Sequence, residues 1–321
     1  SMSHVAWDGF AHHDTIFPLF LFIAGVSFPY SVAKQRAGGM SEGRIYAKIV
    51  RRGLTLVVLG MVYNGLFKLD FENLRIASVL GRIGLAWSIA AVLYLNFGVK
   101  TRAAIAVAVL AGYGALSALV AAPGAAGAGP LTFEGNLAGY IDRQFLPGKL
   151  IYGSFDPEGL LSTVPAVVTA MLGMFTGEFV RRGDIRGGRK TLWMAAAAAA
   201  LLAAGLAFSG VLPVNKKLWS STFVCVVGAY SLGMFALFYY LIDVRGWRRW
   251  TLFFRVVGLN SITIYLAQRI VGFGRISDFF LGGIASKCPE AVAAVISSAG
   301  YVAVCWLFLY FLYRKNVFLK V

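Results

Sequence analysis

The sequence predicts an all-α fold, a polytopic transmembrane helix bundle with about nine spans in this chain. Three observations predict it. Hydrophobic residues make up 59% of the 321 residues, charged residues 14%, and mean hydropathy is +0.73, so the chain has too few polar groups to cover a core in water. Apolar runs of about 20 residues recur from end to end, the length a helix needs to cross the hydrocarbon layer with its backbone satisfied internally. The connections between these runs alternate in charge, as the two sides of a membrane do. The short alternating segments of a transmembrane β-barrel are absent.

The spans are expected at about 14–33, 50–67, 76–97, 103–122, 158–179, 191–211, 219–243, 251–270 and 291–313. The first is the run FPLFLFIAGVSF, opened by polar HHD and followed by KQR. The second follows the basic stretch RIYAKIVRR, and GVKTR separates the third from the fourth. The fifth opens after DPEG, the sixth after RRGDIRGGRK, the seventh after NKK and the eighth after DVRGWRR. The ninth runs into the tail YRKNVFLKV. Alternate connections carry Lys34, Arg36, Arg44, Lys48, Arg51 and Arg52; Lys100 and Arg102; Arg181, Arg182, Arg186, Arg189 and Lys190; Arg245, Arg248 and Arg249; and Arg314, Lys315 and Lys320. These hold about 19 of the 30 basic residues, so they are assigned to the cytoplasm, with the N-terminus of this chain outside and the C-terminus inside. The sorting accounts for most of the net charge of +16 and calls for no nucleic-acid partner. The partner in view is the lipid bilayer. Residues 1–321 read as a single transmembrane domain, with 123–157 as an extracytoplasmic loop that is flexible at APGAAGAGP and ordered at FLPGKLIYGSFDPEG. Cys225, Cys288 and Cys305 are far apart without a CxxC spacing, so neither disulfide nor zinc site is expected.

Ionisable groups at span ends are costly in a membrane and are functional candidates for that reason. On the outer side stand His4, Trp7, Asp8, His12, His13 and Asp14 ahead of the first span, Arg75 and Arg82 at the third, Asp156 and Glu158 at the fifth, and Asn215, Lys216, Lys217 and Trp219 at the seventh. Asn260 lies near mid-depth. Structural roles compete with each. Lys216, Lys217 and Arg75 can snorkel to the interface, and Glu158 can cap its helix. Asn260 can bond between helices, and Arg82 needs a partner such as Asp14 or Glu158. All three histidines stand in the opening stretch. Their spacing matches no metal-ligand rule and no metal is expected. The remaining roles are interfacial pH sensing or a base at the mouth of a pocket.

HVAWDGFAHHDTIFPLFLFIAG, LRIASVLGRIGLAW, DPEGLLSTVPAVVTAMLGMFTGE, LPVNKKLWSSTFV, VGLNSITIYLA and LYRKNVFLKV, in that order, resemble the catalytic region of the heparan-alpha-glucosaminide N-acetyltransferase family. The resemblance covers almost the whole chain. It implies a transmembrane acyltransferase that moves acetyl from cytosolic acetyl-CoA to the amino group of an extracytoplasmic, glucosamine-type sugar, with acetyl-CoA as co-substrate. The family's active histidine maps onto His4 of HVAWDG and its following acid onto Asp14; His12 and His13 match no family catalytic position. His4 would either accept the acetyl or deprotonate the acceptor amine. Trp7, Asp8, Asp156, Glu158 and Lys216 would line the sugar site, and Asn215, Asn260 or Arg82 would face the oxyanion. Arg51, Arg52, Arg181 and Arg182 are candidates for the CoA phosphates, with Gly25, Gly81 and Gly173 giving the pantetheine arm room. The resemblance also implies a span and polar loop ahead of the histidine motif, so the sequence is expected to be a trimmed piece, and it suggests a homodimer. The Ala- and Gly-rich composition suggests a bacterial inner membrane. An amino-sugar carrier without acyl chemistry is the alternative.

Overall fold

The computed structural model describes residues 5–125 and 127–319. All regular elements among them are helical, joined by two isolated antiparallel bridges, Arg75 with Gly148 and Ala121 with Asn136. The helices are α1 (Ile16–Ala37), α2 (Glu42–Tyr63), α3 (Val79–Asn96), α4 (Val99–Leu119), α5 (Leu137–Phe145), α6 (Leu160–Arg181), α7 (Gly187–Ala207), α8 (Ser221–Tyr239), α9 (Thr251–Leu259), α10 (Ser261–Ile270), α11 (Phe273–Ala285) and α12 (Glu290–Arg314). They form two compact units, Ser1–Arg245 and Gly246–Val321.

In the first unit α6 is the hub. It packs on α1, α3, α4 and α8, and its buried side chains run from Ser162 to Thr176. Glycine makes the tightest of these contacts. A Cβ built on Gly25 would meet the Ala170 carbonyl, and one on Gly173 or Gly177 the carbonyl of Phe22 or Val26. Without a hydrophobic drive between helices in lipid, such backbone-to-backbone approach is a main source of attraction. Gly25 and Gly173 therefore leave no room for a pantetheine arm: they are contact points. The same logic joins α2 to α3, where Gly53 meets Ser88 and Gly60 meets Ser78. Around this frame Phe28, Trp87, Met171, Trp219 and Phe223 fill the core. In the second unit α12 lies against α11 and α9, with Gly300 against Leu281 and Trp306 stacked on Phe253 at 5.7 Å.

Among the described residues seven helices are long and apolar enough to cross a membrane: His12–Ala37, Val79–Asn96, Val99–Leu119, Leu160–Arg181, Gly187–Ala207, Ser221–Val244 and Glu290–Arg314. By length and apolarity the count is thus seven against the nine expected. The second expected span falls in α2, which carries Glu42, Arg44, Lys48, Arg51 and Arg52. The eighth is broken at Asn260 into α9 and α10, nine and ten residues long. The charge sorting also needs amendment at one position. Arg102 is no loop cation but a buried residue of α4, ion-paired with Glu178 of α6 at 2.7 Å and set over the Tyr94 ring at 4.4 Å.

Candidate active site

At the end of the first unit where α1, α3, α6 and α8 begin, four connecting segments converge: 5–15, 64–78, 120–159 and 208–220. Backbone and side chains tie them together. Gly9, in a left-handed turn with φ 123°, donates its N–H to the Val214 carbonyl at 2.8 Å. Trp7 Nε1 donates to the Leu131 carbonyl at 2.9 Å, and its ring meets Phe133 and Phe155 edge-on at 5.3 and 5.8 Å. Asn215 donates to Asp8 Oδ1 at 3.0 Å and accepts the Leu218 N–H at 2.9 Å. Both ends of the Asn215 amide are thus engaged in holding the loop. Asp14, 2% exposed, accepts the Ala11 N–H at 3.1 Å and pairs with Lys216 at 3.2 Å.

A second cluster sits beside it. Arg75 makes a two-pronged pair with Asp156, at 2.7 and 2.6 Å, and also binds Glu158. Asp156 is fully buried and further accepts the N–H groups of Ile151 and Glu158. Burial opposes the charge of Arg75, but hydrogen bonds and charge from Asp156 and Glu158 overcome it and raise the guanidinium above its ordinary value. Asn64, at the C-terminal end of α2, positions this arginine by donating to the Arg75 and Ala77 carbonyls at 2.7 and 3.0 Å. Arg82, buried one turn into α3, meets no acid at ion-pair distance among the described residues. It binds the Pro157 carbonyl and Ser162 Oγ, reaches the Gly159 carbonyl at 3.4 Å and lies over the Trp219 ring at 4.9 Å, while its Nε and Nη1 have no hydrogen-bond partner. The partner expected for it, Asp14 or Glu158, is replaced by main-chain carbonyls.

Two cavities flank these groups. The first, of about 170 Å³, is polar: Trp7, Asp14, Tyr152, Glu158, Lys216 and Lys217 line it, together with Val5, the residue that follows His4. Lys217 Nζ stands over the Tyr152 ring at 4.5 Å. The second, of about 450 Å³, is apolar and runs beside α3 from Ser78 to Leu93, walled by Val57, Val109 and Val167, with Arg82 in its lining. At 1.5 Å per residue that stretch of α3 is about 22 Å long. Glu158 lines both cavities.

His4 lies outside the described residues. Trp7, Asp8, Asp14, Arg82, Asp156, Glu158, Asn215 and Lys216 all fall at this one end. Asn260 belongs to the second unit, buried with its Nδ2 unpartnered. The four arginines considered for phosphate are elsewhere: Arg51 is exposed on α2, Arg52 lies over the Trp87 ring at 4.3 Å, Arg181 donates to the Pro29 carbonyl at 2.9 Å, and Arg182 pairs with Asp184. His12 Nδ1 is 3.4 Å from the Tyr230 hydroxyl. Among the described residues no three His, Cys, Asp or Glu side chains gather as metal ligands do. Sequence reasoning missed Asp142. Its signal was an acid on the otherwise small, apolar face of α5, with Ala138 and Gly139.

Six of the seven long apolar helices found among the described residues belong to the first unit, whose polar segments cluster at one end, and together the seven define the class: a polytopic helical membrane protein. The chain is 28% identical over 375 residues to human heparan-alpha-glucosaminide N-acetyltransferase and 26% identical over 372 residues to the mouse protein of that name, in each case over 99% of its own length. The family resemblance read from the sequence therefore holds across the chain. The chain spans about half the length of these relatives, 55% and 56%. No model of a protein family matches it.

Proposed function

We propose that this chain is the membrane-embedded core of an N-acetyltransferase that moves acetyl from cytosolic acetyl-CoA to the amino group of a glucosamine-type sugar outside a bacterial inner membrane. The observation that carries the reading is the double exposure of Glu158, which lines a polar pocket on one side and a long apolar groove on the other. Two substrates of different character, arriving from opposite faces, would meet there. The printed names of the human and mouse relatives support the reaction class.

The acceptor amine is an ammonium at neutral pH and must lose a proton before it attacks. His4, next to the pocket-lining Val5, takes that proton. The amine nitrogen then bonds to the acetyl carbonyl carbon and the carbon–sulfur bond breaks; the proton held by His4 passes to the leaving thiolate, and the second proton that the nitrogen sheds as it becomes an amide goes to water. Asp14 orients the histidine and steadies its charged form. Arg75 pairs with both acids, but Asp156 is fully buried, so Glu158, with 12% of its side chain exposed, is the one of the two that faces the pocket to meet the amine, with Trp7 as an apolar wall. Among the oxyanion candidates Arg82 is favoured by its two unpartnered donors, while the Asn215 amide is already engaged. The groove along α3 suits the pantetheine arm. Arg51 and Arg52, without an acid at ion-pair distance among the described residues, are the better candidates for the CoA phosphates. The N-terminus of the chain then lies outside and the C-terminus in the cytoplasm.

The test places full-length protein in proteoliposomes with labelled acetyl-CoA at the cytoplasmic face and glucosamine at the other. His4→Ala should lower formation of N-acetylglucosamine by about 10²- to 10⁴-fold. Equal product from both proteins would remove His4 from the chemistry. Labelled sugar crossing the bilayer without product would replace the enzyme by a carrier.

A further inference from the structure

Asp142 is fully buried in a short helix that no part of the proposed chemistry uses. Its Oδ1 accepts the Leu160 N–H at 2.9 Å, the first amide of α6, while Oδ2 has no hydrogen-bond partner. Gly159, the residue before α6, lies flush against the carboxylate: a Cβ there would collide with both oxygens. The helix start is therefore capped from outside its own chain segment, by an acid 18 positions upstream. The three residues so clamped are Pro157, Glu158 and Gly159. Two of them present the carbonyls that hold Arg82, and the third is the acid shared by both cavities.

We propose that Asp142 is a positioning residue, whose carboxyl group clamps the start of α6 and thereby sets Glu158 and Arg82 at the edge of the acceptor pocket. The role rests on the acetyltransferase reading for its kinetic consequence but not for its structural one. The groups facing Asp142 are Arg82 of α3, Tyr113 of α4, and Asp156 and Glu158 of the turn before α6, the last two held by Arg75; on its own helix Arg143 turns away to the Ser154 carbonyl. Burial, reinforced by Asp156, pushes the Asp142 acid up to about 6, against the opposing pull of the Leu160 N–H and Arg82. An acid raised by burial binds its proton more tightly in the closed site than when released to water, so the hold on the helix start is weaker above that pH, where the carboxylate is charged, and strengthens as the pH falls through it.

The experiment has two arms. In the first, hydrogen exchange of the Leu160–Ser162 amides, corrected for intrinsic rate, is followed from pH 7.5 to pH 4.5 in the wild-type protein and in Asp142→Asn. Protection should rise as the pH falls through about 6 in the wild type and show no such step in the variant. A flat wild-type profile would overturn the proposal without any variant having to fold. In the second arm, the acceptor KM of Asp142→Ala, which lacks the acceptor for the Leu160 N–H, should rise about tenfold at pH 7.5 with the acetyl-CoA KM unchanged, the scale of one hydrogen bond to a charged group. Gly159→Ala, which displaces the same carboxylate, should reproduce it. Equal changes in both KM values, or none, would reduce Asp142 to a structural acid. Absence of acetyl transfer from the wild type would fail the enzyme reading alone, since the exchange arm is read independently.

Discussion

At the scale of single residues, the polar groups of the pocket end divide into those already spent and those left over. Asp156 and Arg75 are spent on each other, and Asn215 on Asp8 and Leu218. A buried carboxylate that loses its partner keeps the full desolvation penalty, so Arg75→Ala should destabilise the protein by about 3–5 kcal/mol. Arg75→Lys should restore only part of this, because an ammonium cannot make the two-pronged contact. Thermal unfolding in detergent, followed by helical circular dichroism, reads both. A fall of less than about 1 kcal/mol in Arg75→Ala would mean that water reaches Asp156. The sequence named most of these residues, since a charge beside an apolar run advertises its cost. It could not pair them. Arg75 and Asp156 are 81 positions apart, and nothing local to Arg82 foretold that carbonyls of a DPEG turn would take the place of an acid.

At the scale of elements, glycine position decides the packing. A side chain at Gly173 would meet the backbone of α1 and not a movable side-chain tip, so the helices themselves must separate. Gly173→Ala is expected to cost about 1–3 kcal/mol by overpacking. Gly188→Ala, in α7 with nothing within 4 Å of its Cβ position, should be neutral or stabilising by up to about 1 kcal/mol. Unfolding both in mixed micelles of increasing SDS checks the contrast, and similar losses at the two sites would refute the close α1–α6 contact. Small residues on a helix are visible in a sequence, but whether each marks a contact or a void is not. That is why Gly25 and Gly173 read as room for a ligand and proved to be contacts, while the open groove lies beside α3, bordered by Gly81. The long apolar spans were legible because about 20 uninterrupted apolar residues have few other uses. The run 251–270 was misread because its length and hydropathy carry no sign of the break at Asn260, and α11 was missed because thirteen residues are too short to register as a span.

At the scale of the molecule, sidedness is the property on which the proposed transfer depends. An acetyl donor confined to the cytoplasm and a pocket on the other face require the clustered ends of α1, α3, α6 and α8 to lie outside. The charge sorting supports that placement even with Arg102 moved from a loop to a buried ion pair, because the connection 181–190 still carries five basic residues, Arg181, Arg182, Arg186, Arg189 and Lys190. Of these, Lys190 is held by the Val180 and Arg182 carbonyls at the C-terminal end of α6, where a cation suits the helix dipole. Two glycines report the two sides with little disturbance: Gly129 in the 120–136 segment and Gly183 between α6 and α7, both exposed, and neither in a left-handed conformation. In a background with Cys225, Cys288 and Cys305 replaced by alanine, a membrane-impermeant maleimide added to intact spheroplasts should label Gly129→Cys fully. Gly183→Cys should be labelled only after permeabilisation. The reverse pattern would put the polar pocket on the cytoplasmic face, where acetyl-CoA and its acceptor would share one compartment and transfer across the membrane would have no purpose.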